Sequence, residues 1–262
     1  MSLTLDSDAT RAYGVLAPAY DLLTAGYAYG PWLDALERLA RRHGLTGRRV
    51  LDVGCGTGKS FLPLLERGFE VTACDISPEM VAVARQKAAG RAEVHVADMR
   101  RLPVLGEFHL ITCLDDAVNH LLGRDEVADA FEGLRENLAP GGLLVFDVNT
   151  LAAYREVPDV VVEDEDRLVR WRGGPARIDA PGGEAEVVID VFTHEADGLW
   201  RRSLSRQRHR HHPVEEIREL AEEAGLEVAA IVGQRPGAVL EDALDEHVHR
   251  KAVFIARREG RS

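Results

Sequence analysis

The stretch Val50-Leu51-Asp52-Val53-Gly54-Cys55-Gly56-Thr57-Gly58 constrains this chain more than any other. A short apolar run reads as a buried strand, and three alternate glycines behind it leave the backbone bare of side chains where the strand ends. A second apolar run, Val71–Cys74, closes on an acid, Asp75. Strand, glycine turn, helix and a second strand ending in a carboxylate form the layout of a nucleotide-type cofactor site at the carboxyl edge of a parallel sheet.

The same rhythm continues from Arg49 to about Thr150, with strands expected at Val50–Val53, Val71–Cys74, Glu93–Ala97, Leu110–Cys113 and Leu143–Val148. Ser77-Pro78 starts one helix with a hydroxyl cap and a first-turn proline, and Pro140-Gly141-Gly142 reads as the end of another. Such alternation predicts an α/β fold, a doubly wound, mostly parallel, seven-stranded Rossmann-like sheet with right-handed crossovers.

Residues 1–48 read as a helical cover: one helix over Arg11–Thr24, interrupted near Pro18, and a second from Pro31 to Gly44. Tyr27, Tyr29 and Trp32 between them either cap the core or cover a bound cofactor. After Asn149 the pattern changes. Val160–Val162, Leu168–Trp171, Ala185–Phe192 and Leu199–Arg206, separated by Gly173-Gly174, Pro181-Gly182-Gly183 and Asp197-Gly198, predict antiparallel hairpins inserted after the fifth strand as a lid or dimer surface. A helix from Pro213 to Gly225 and strands Val228–Val232 and Lys251–Ala256 complete the core, with Arg257 to Ser262 a fraying polar tail. The expected organisation is one domain in four parts: 1–48 cover, 49–150 cofactor-binding core, 151–212 β insertion and 213–262 end of the core.

Composition narrows the partners. The chain has 262 residues and a net charge of -12, which opposes a nucleic-acid substrate, although Arg201-Arg202 and Arg206 to Arg210 form a local basic stretch. No apolar run approaches a membrane span, and Met1 to Asp6 lacks a secretory pattern. Cys55, Cys74 and Cys113 sit in or beside apolar runs, so neither a disulfide frame nor a zinc spacing is expected. These features predict a cytoplasmic protein with a small-molecule partner, no nucleic acid, no membrane, no metal and a possible homodimer.

Spacing separates the cofactors. A phosphate-binding loop ending at Gly58-Lys59-Ser60 requires glycine at position 53, which is Val53, and the dinucleotide turn requires glycine at position 59, which is Lys59. Gly54-x-Gly56-x-Gly58 suits S-adenosylmethionine, which has no pyrophosphate. Val50 to Gly58 resembles the first motif of class I S-adenosylmethionine-dependent methyltransferases, and Cys74-Asp75-Ile76-Ser77-Pro78-Glu79-Met80 resembles their second. The resemblance covers roughly Tyr13 to Ala256. It implies that Asp75 binds both ribose hydroxyls, a role suited to a carboxylate's two acceptors. It also implies that Asp98-Met99 contacts adenine, that Gly54, Cys55, Gly56 and Gly58 lie under the methionine end, and that Tyr20, Trp32, Ile76, Met80 and Leu114 complete the contacts. Asp52 either holds the methionine amine through water or organises the turn.

Acceptor chemistry is expected at the end of the fourth strand, Cys113-Leu114-Asp115-Asp116-Ala117-Val118-Asn119-His120, with Asp115, Asp116, Asn119 and His120 facing the substrate. This stretch resembles small-molecule N-methyltransferases acting on amino sugars and glycine. By that resemblance His120 is the active-site histidine, a candidate base with a suitable intrinsic pKa. Tyr20-Asp21-Leu22 resembles the Tyr-Asp that reaches over the methyl group in those enzymes, which makes Tyr20 the second catalytic candidate. Asp115 and Asp116 depart from the neutral residues of those families and suggest a cationic or polyhydroxylated acceptor. His209, His211 and His212 with Arg208 and Arg210 read as a strand edge, with His209 and His211 sharing a face toward the active site. The function read from the chain is methyl transfer to a small polar metabolite, an amine nitrogen of an amino sugar or amino acid. The alternatives are O-methylation of a hydroxylated metabolite and a non-catalytic cofactor-binding module.

Overall fold

A computed structural model describes residues 8–27, 29–155, 159–173 and 178–258. Gly174 of the expected first hairpin turn and the tail beyond Arg258 lie outside the described residues.

Helices α1 (Asp8–Leu16), α2 (Tyr20–Leu23) and α3 (Tyr29–Arg42) precede the sheet, with Pro18 in a 3-10 turn between the first two. The core then alternates β1 (Arg49–Val53), α4 (Leu62–Glu66), β2 (Glu70–Asp75), α5 (Pro78–Ala88), β3 (Glu93–Val96), β4 (Phe108–Cys113), α6 (Arg124–Asn137) and β5 (Leu138–Asn149). After a short α7 (Leu151–Arg155) come β6 (Val160–Glu163), β7 (Arg167–Gly173), β8 (Glu184–His194) and β9 (Trp200–Arg210). The chain returns to the core with α8 (Val214–Glu223), β10 (Leu226–Arg235), β11 (Val239–Glu241) and β12 (Lys251–Arg258).

The main sheet has eight strands in the order β11-β10-β12-β5-β4-β1-β2-β3, and β6-β7-β8-β9 form a separate antiparallel sheet. Strands β1 to β5 are parallel to one another, and β12 enters antiparallel between β5 and β10. Alternation along each strand divides the core. Leu51, Val53, Ile111, Leu144 and Phe146 face one cluster with α6 and α8, while Val50, Leu110, Leu143 and Val145 face another with α3. A third cluster joins Leu16 and Ala17 to Val169, Val187, Ile189 and Val191 and seats α1 on the inner face of the smaller sheet.

Two details correct the sequence reading. The sheet gains an eighth strand, β11, which turns back on β10 through Gly237 and Ala238, both with positive φ. Pro140-Gly141-Gly142 does not end α6, which stops at Asn137. That tripeptide lies inside β5, where the register with β4 shifts and a side chain on Gly142 would come within 2.7 Å of the Phe108 carbonyl. Glycine is needed there for close backbone approach, and the helix end is held by Asn137, whose side chain takes the Leu105 amide and donates to Pro103 and Gly133 carbonyls.

Candidate active site

The carboxyl ends of β1, β2 and β4, roofed by α1 to α3 and β9, enclose a cavity of about 240 Å³. Gly54 and Gly56 form its floor with φ of +73° and +52°. Any Cβ at Gly54 would meet Ala117 at 3.2 Å, so the bare backbone is required. Asp75 ends β2 and borders the cavity, accepting from the amides of Gly56 (2.8 Å) and Ser77 (2.9 Å). A carboxylate has about four lone-pair sites, so acceptor capacity remains. Burial pushes its pKa up.

Asp52, inside the glycine motif, is sealed. It accepts from Ser60 Oγ (2.5 Å) and Thr112 Oγ1 (2.6 Å), tying turn to β4, and burial pushes it up to about 6. Of the two roles expected for it, organising the turn is the one its contacts show.

Cys55, Ile76, Met99, Leu114 and Tyr20 border the cavity as expected, and the Tyr20 ring packs against Gly56. Asp98 also borders it, but both its oxygens are engaged by the Arg100 guanidinium at 2.6 to 3.1 Å, and Arg100 continues to Glu126 at 2.8 Å. Three expected cofactor contacts lie elsewhere. Trp32 is sunk among Leu33, Leu36 and Leu39, Met80 packs beneath Leu16, and Gly58 serves the turn, where an added side chain would press on the Phe61 ring at 3.0 Å. Of Tyr27, Tyr29 and Trp32, Tyr29 is the one that borders the cavity.

Lys59, whose side chain excludes a dinucleotide turn, also lines the cavity. Its ammonium donates to the Thr24 carbonyl (2.7 Å) and hydroxyl (2.9 Å) and lies 5.2 Å from the centre of the Tyr29 ring. Beside it, Asp21 accepts from Thr57 Oγ1 at 2.6 Å and pairs with Lys87. Together these latch the helical cover to the glycine turn.

Beyond the glycines, Asp115 and Asp116 both adopt the left-handed conformation, with φ of +59° and +58°. Asp147 on β5 holds this turn by accepting both their amides, at 2.7 and 3.0 Å. Lys251 on β12 bonds Asp147 at 2.6 Å and lies 3.5 Å from Asp115 and 3.9 Å from Asp116. Burial works against the Lys251 charge, but Asp147, Asp115 and Asp116 hold its pKa well above the ordinary range. Asp115 faces the cavity, with the phenols of Tyr27 and Tyr29 beside it.

Two residues expected to face substrate do not border the cavity. Asp116 turns back to accept from Asn149 Nδ2 at 2.9 Å, 3.5 Å from His209. Asn119 is fully buried, donating to the Arg210 carbonyl (2.8 Å) and accepting from the Asn149 amide (2.9 Å), and so fastens β9 to the core.

His120 does border the cavity, and its Nε2 lies 2.7 Å from the phenol oxygen of Tyr13 on α1. Its ring meets His209 edge-on at 4.3 Å. Burial, reinforced by His209, pushes His120 down to about 3, and burial, with Lys251, pushes His209 down to about 4. Burial also holds the Tyr13 phenol well above its ordinary value, so both groups are neutral, and in the tautomer with Nε2 unprotonated the phenol donates to the imidazole. In the sequence Tyr13 stands at helical spacing with Leu16 and Tyr20. Nothing local distinguishes it, since its partner is 107 residues away.

The arginines of β9 do not form a free basic patch: Arg201 pairs with Glu195, Arg202 with Asp190, Arg206 with Glu186, Arg208 with Glu184 and Arg210 with Glu216. No helix among the described residues is long and apolar enough to cross a membrane.

A family described as a methyltransferase domain matches residues 50–142, which hold the glycine turn, Asp75 and the turn after β4. A putative methyltransferase of Bacillus subtilis, YqeM, is 30% identical over 82% of this chain and 87% of its own. The chain belongs to the S-adenosylmethionine-dependent methyltransferases. Over 51% of its length this methyltransferase is also 32% identical to 53% of the Streptomyces fradiae dTDP-3-amino-3,6-dideoxy-alpha-D-glucopyranose N,N-dimethyltransferase. Among solved structures, CalS10 with bound S-adenosylmethionine, an amino pentose methyltransferase from Micromonospora echinaspora, superposes with a TM-score of 0.67 at 26% identity, covering 92% of this methyltransferase and 96% of CalS10. The residues fit that cofactor, since the glycine floor is a cradle that side chains would fill and Asp75 keeps acceptor capacity toward it.

Proposed function

We propose that the methyltransferase methylates the nitrogen of a small polar amine, an amino sugar or an amino acid. The observation that carries this reading is the Tyr13–His120 pair on the cavity wall, with Asp115 on the same wall. S-Adenosylmethionine, when bound, supplies a methyl group activated on a sulfonium. Gly54, Cys55, Gly56, Asp75, Ile76, Met99 and Leu114 would hold it, with Tyr20 and Tyr29 over the glycine turn and Asp98, braced by Arg100, toward the adenine end. Lys59 retains one ammonium proton beyond the two given to Thr24.

The acceptor amine attacks through its lone pair, so it must be neutral and aligned. Tyr13 donates to His120 and keeps oxygen lone pairs for an amine N–H. The proton lost by the amine then passes to the Tyr13 oxygen as the Tyr13 proton passes to His120 Nε2. Tyr13 therefore touches the acceptor, and His120 is the base behind it. An imidazole pushed down to about 3 holds that proton only in passing, on its way to water, and is too weak a base to activate an aliphatic hydroxyl, which favours nitrogen over oxygen.

Exchanging Tyr13→Phe or His120→Asn is expected to lower turnover by about 10²-fold or more. S-Adenosylhomocysteine affinity, measured by calorimetry, should be unchanged. Turnover at the wild-type level in both variants would sink this assignment.

A further inference from the structure

The inner face of the smaller sheet is apolar where it meets α1, through Val169, Val187, Ile189 and Val191. On β9 the pattern breaks. Ser205, Gln207 and His209 pair with Ile189, Val187 and Ala185 across β8 and so share that inner face. They are 0%, 6% and 5% exposed, and Ser205 Oγ, Gln207 Nε2 and His209 Nε2 have no hydrogen-bond partner. Unsatisfied buried polar groups weaken a fold, and their retention on one strand calls for a ligand or a structural reason.

Gln207 borders the cavity itself. Its neighbours Arg206 and Arg208 send their side chains to the other face, to Glu186 and Glu184. Both still border the cavity, along which β9 runs as the end strand of its sheet. The carbonyls along this edge already bind inward: Arg210 accepts from Asn119, and Arg208 meets His120. The Gln207 amide thus stands one residue from the carbonyl that touches the proposed base.

We propose that Gln207 is an acceptor-binding residue, whose amide donates to a hydroxyl oxygen near the reacting amine, and that the acceptor is a neutral hydroxylated amine rather than an amino acid. The inference rests on the reading of this cavity as the site of amine methylation. Charge supports the second half. Among the described residues bordering the cavity, Arg100 is held by Asp98 and Glu126, Lys59 stands at the glycine turn where it would serve the cofactor, and the side chains of Arg206 and Arg208 pair with Glu186 and Glu184. The lining also carries Asp115, one of three aspartates around the Lys251 ammonium, so that wall repels a carboxylate, while a hydroxyl finds a donor in Gln207.

The test uses the full chain with S-adenosylmethionine, following methyl transfer by mass spectrometry to D-glucosamine and 3-amino-3-deoxy-D-glucose against glycine and sarcosine. The amino sugars should be methylated in preference. Gln207→Leu should raise their KM at least about tenfold, with S-adenosylhomocysteine affinity unchanged and Tm equal to or above wild type, since a buried unpaired amide has been removed. A large fall in Tm would make Gln207 structural and overturn the proposal, as would preference for glycine or sarcosine. If amines are methylated but Gln207→Leu leaves KM unaltered, the role of Gln207 falls while the amine reading stands. If none of the four amines is methylated, the amine reading falls and takes this inference with it.

Discussion

Tyr13 and His120 meet at 2.7 Å across 107 residues of sequence, and their protonation states follow from where they meet. Because His120 is pushed down to about 3, it stays neutral across the physiological range. The acid limb of kcat/KM should then follow the acceptor amine, moving when acceptors of different amine pKa are compared. A limb fixed near 6.5 for every acceptor would report an ordinary histidine and contradict the depressed value. His120 was legible from the chain because it closes a polar run after a strand, whereas Tyr13 was not: at helical spacing with Leu16 and Tyr20 it looks like packing. The same limit applies to Asp115 and Asp116. As neighbours in sequence they read alike, yet consecutive left-handed residues aim one into the cavity and the other toward Asn149.

At the scale of elements, the parallel core was readable because each strand is a short apolar run bounded by turn residues, and the antiparallel insertion because its strands are separated by glycine-bearing turns. What escaped were features set by pairing rather than composition. The three-residue β11 has no periodicity of its own and exists because Gly237 and Ala238 fold it back on β10. The glycines of Pro140-Gly141-Gly142 serve close packing on Phe108 rather than a helix end. Asn119 shows how firmly the insertion is anchored, since one amide joins β9 to β5. Asn119→Ala strands a carbonyl and an amide in the interior and should cost about 2–4 kcal/mol. The measurement is a lowered urea midpoint at unchanged slope. A shift corresponding to less than about 0.5 kcal/mol would mean the insertion is held by apolar contact instead.

Across the whole molecule, buried histidines make stability depend on pH. His120, His209 and His211 are pushed by burial to about 3, 4 and 4. The unfolded chain takes these protons near 6.5 and the folded chain refuses them, so their contribution is intact above that pH and is lost as pH falls through the window toward 4. Asp52, raised to about 6, acts oppositely, its contribution present below the ordinary carboxylate pKa and lost as pH rises through about 6. A single variant separates the two. Between pH 7 and pH 5, His209→Gln should lose about 1–2 kcal/mol less stability than the wild type. Equal losses in paired denaturation curves would show that His209 titrates normally in the folded state.

Lys251 sits on β12, which follows every other strand in the chain yet lies between β5 and β10 in the sheet. Its ammonium is the counterion for the three aspartates around the turn after β4. During synthesis the glycine turn, Asp75 and Asp98 all emerge early, within a parallel half-sheet whose strands β1 to β5 are contiguous. The acceptor wall has to wait. Until β12 is inserted, Asp115, Asp116 and Asp147 lack that ammonium, so the charge balance of the turn after β4 is completed only by the last strand of the chain.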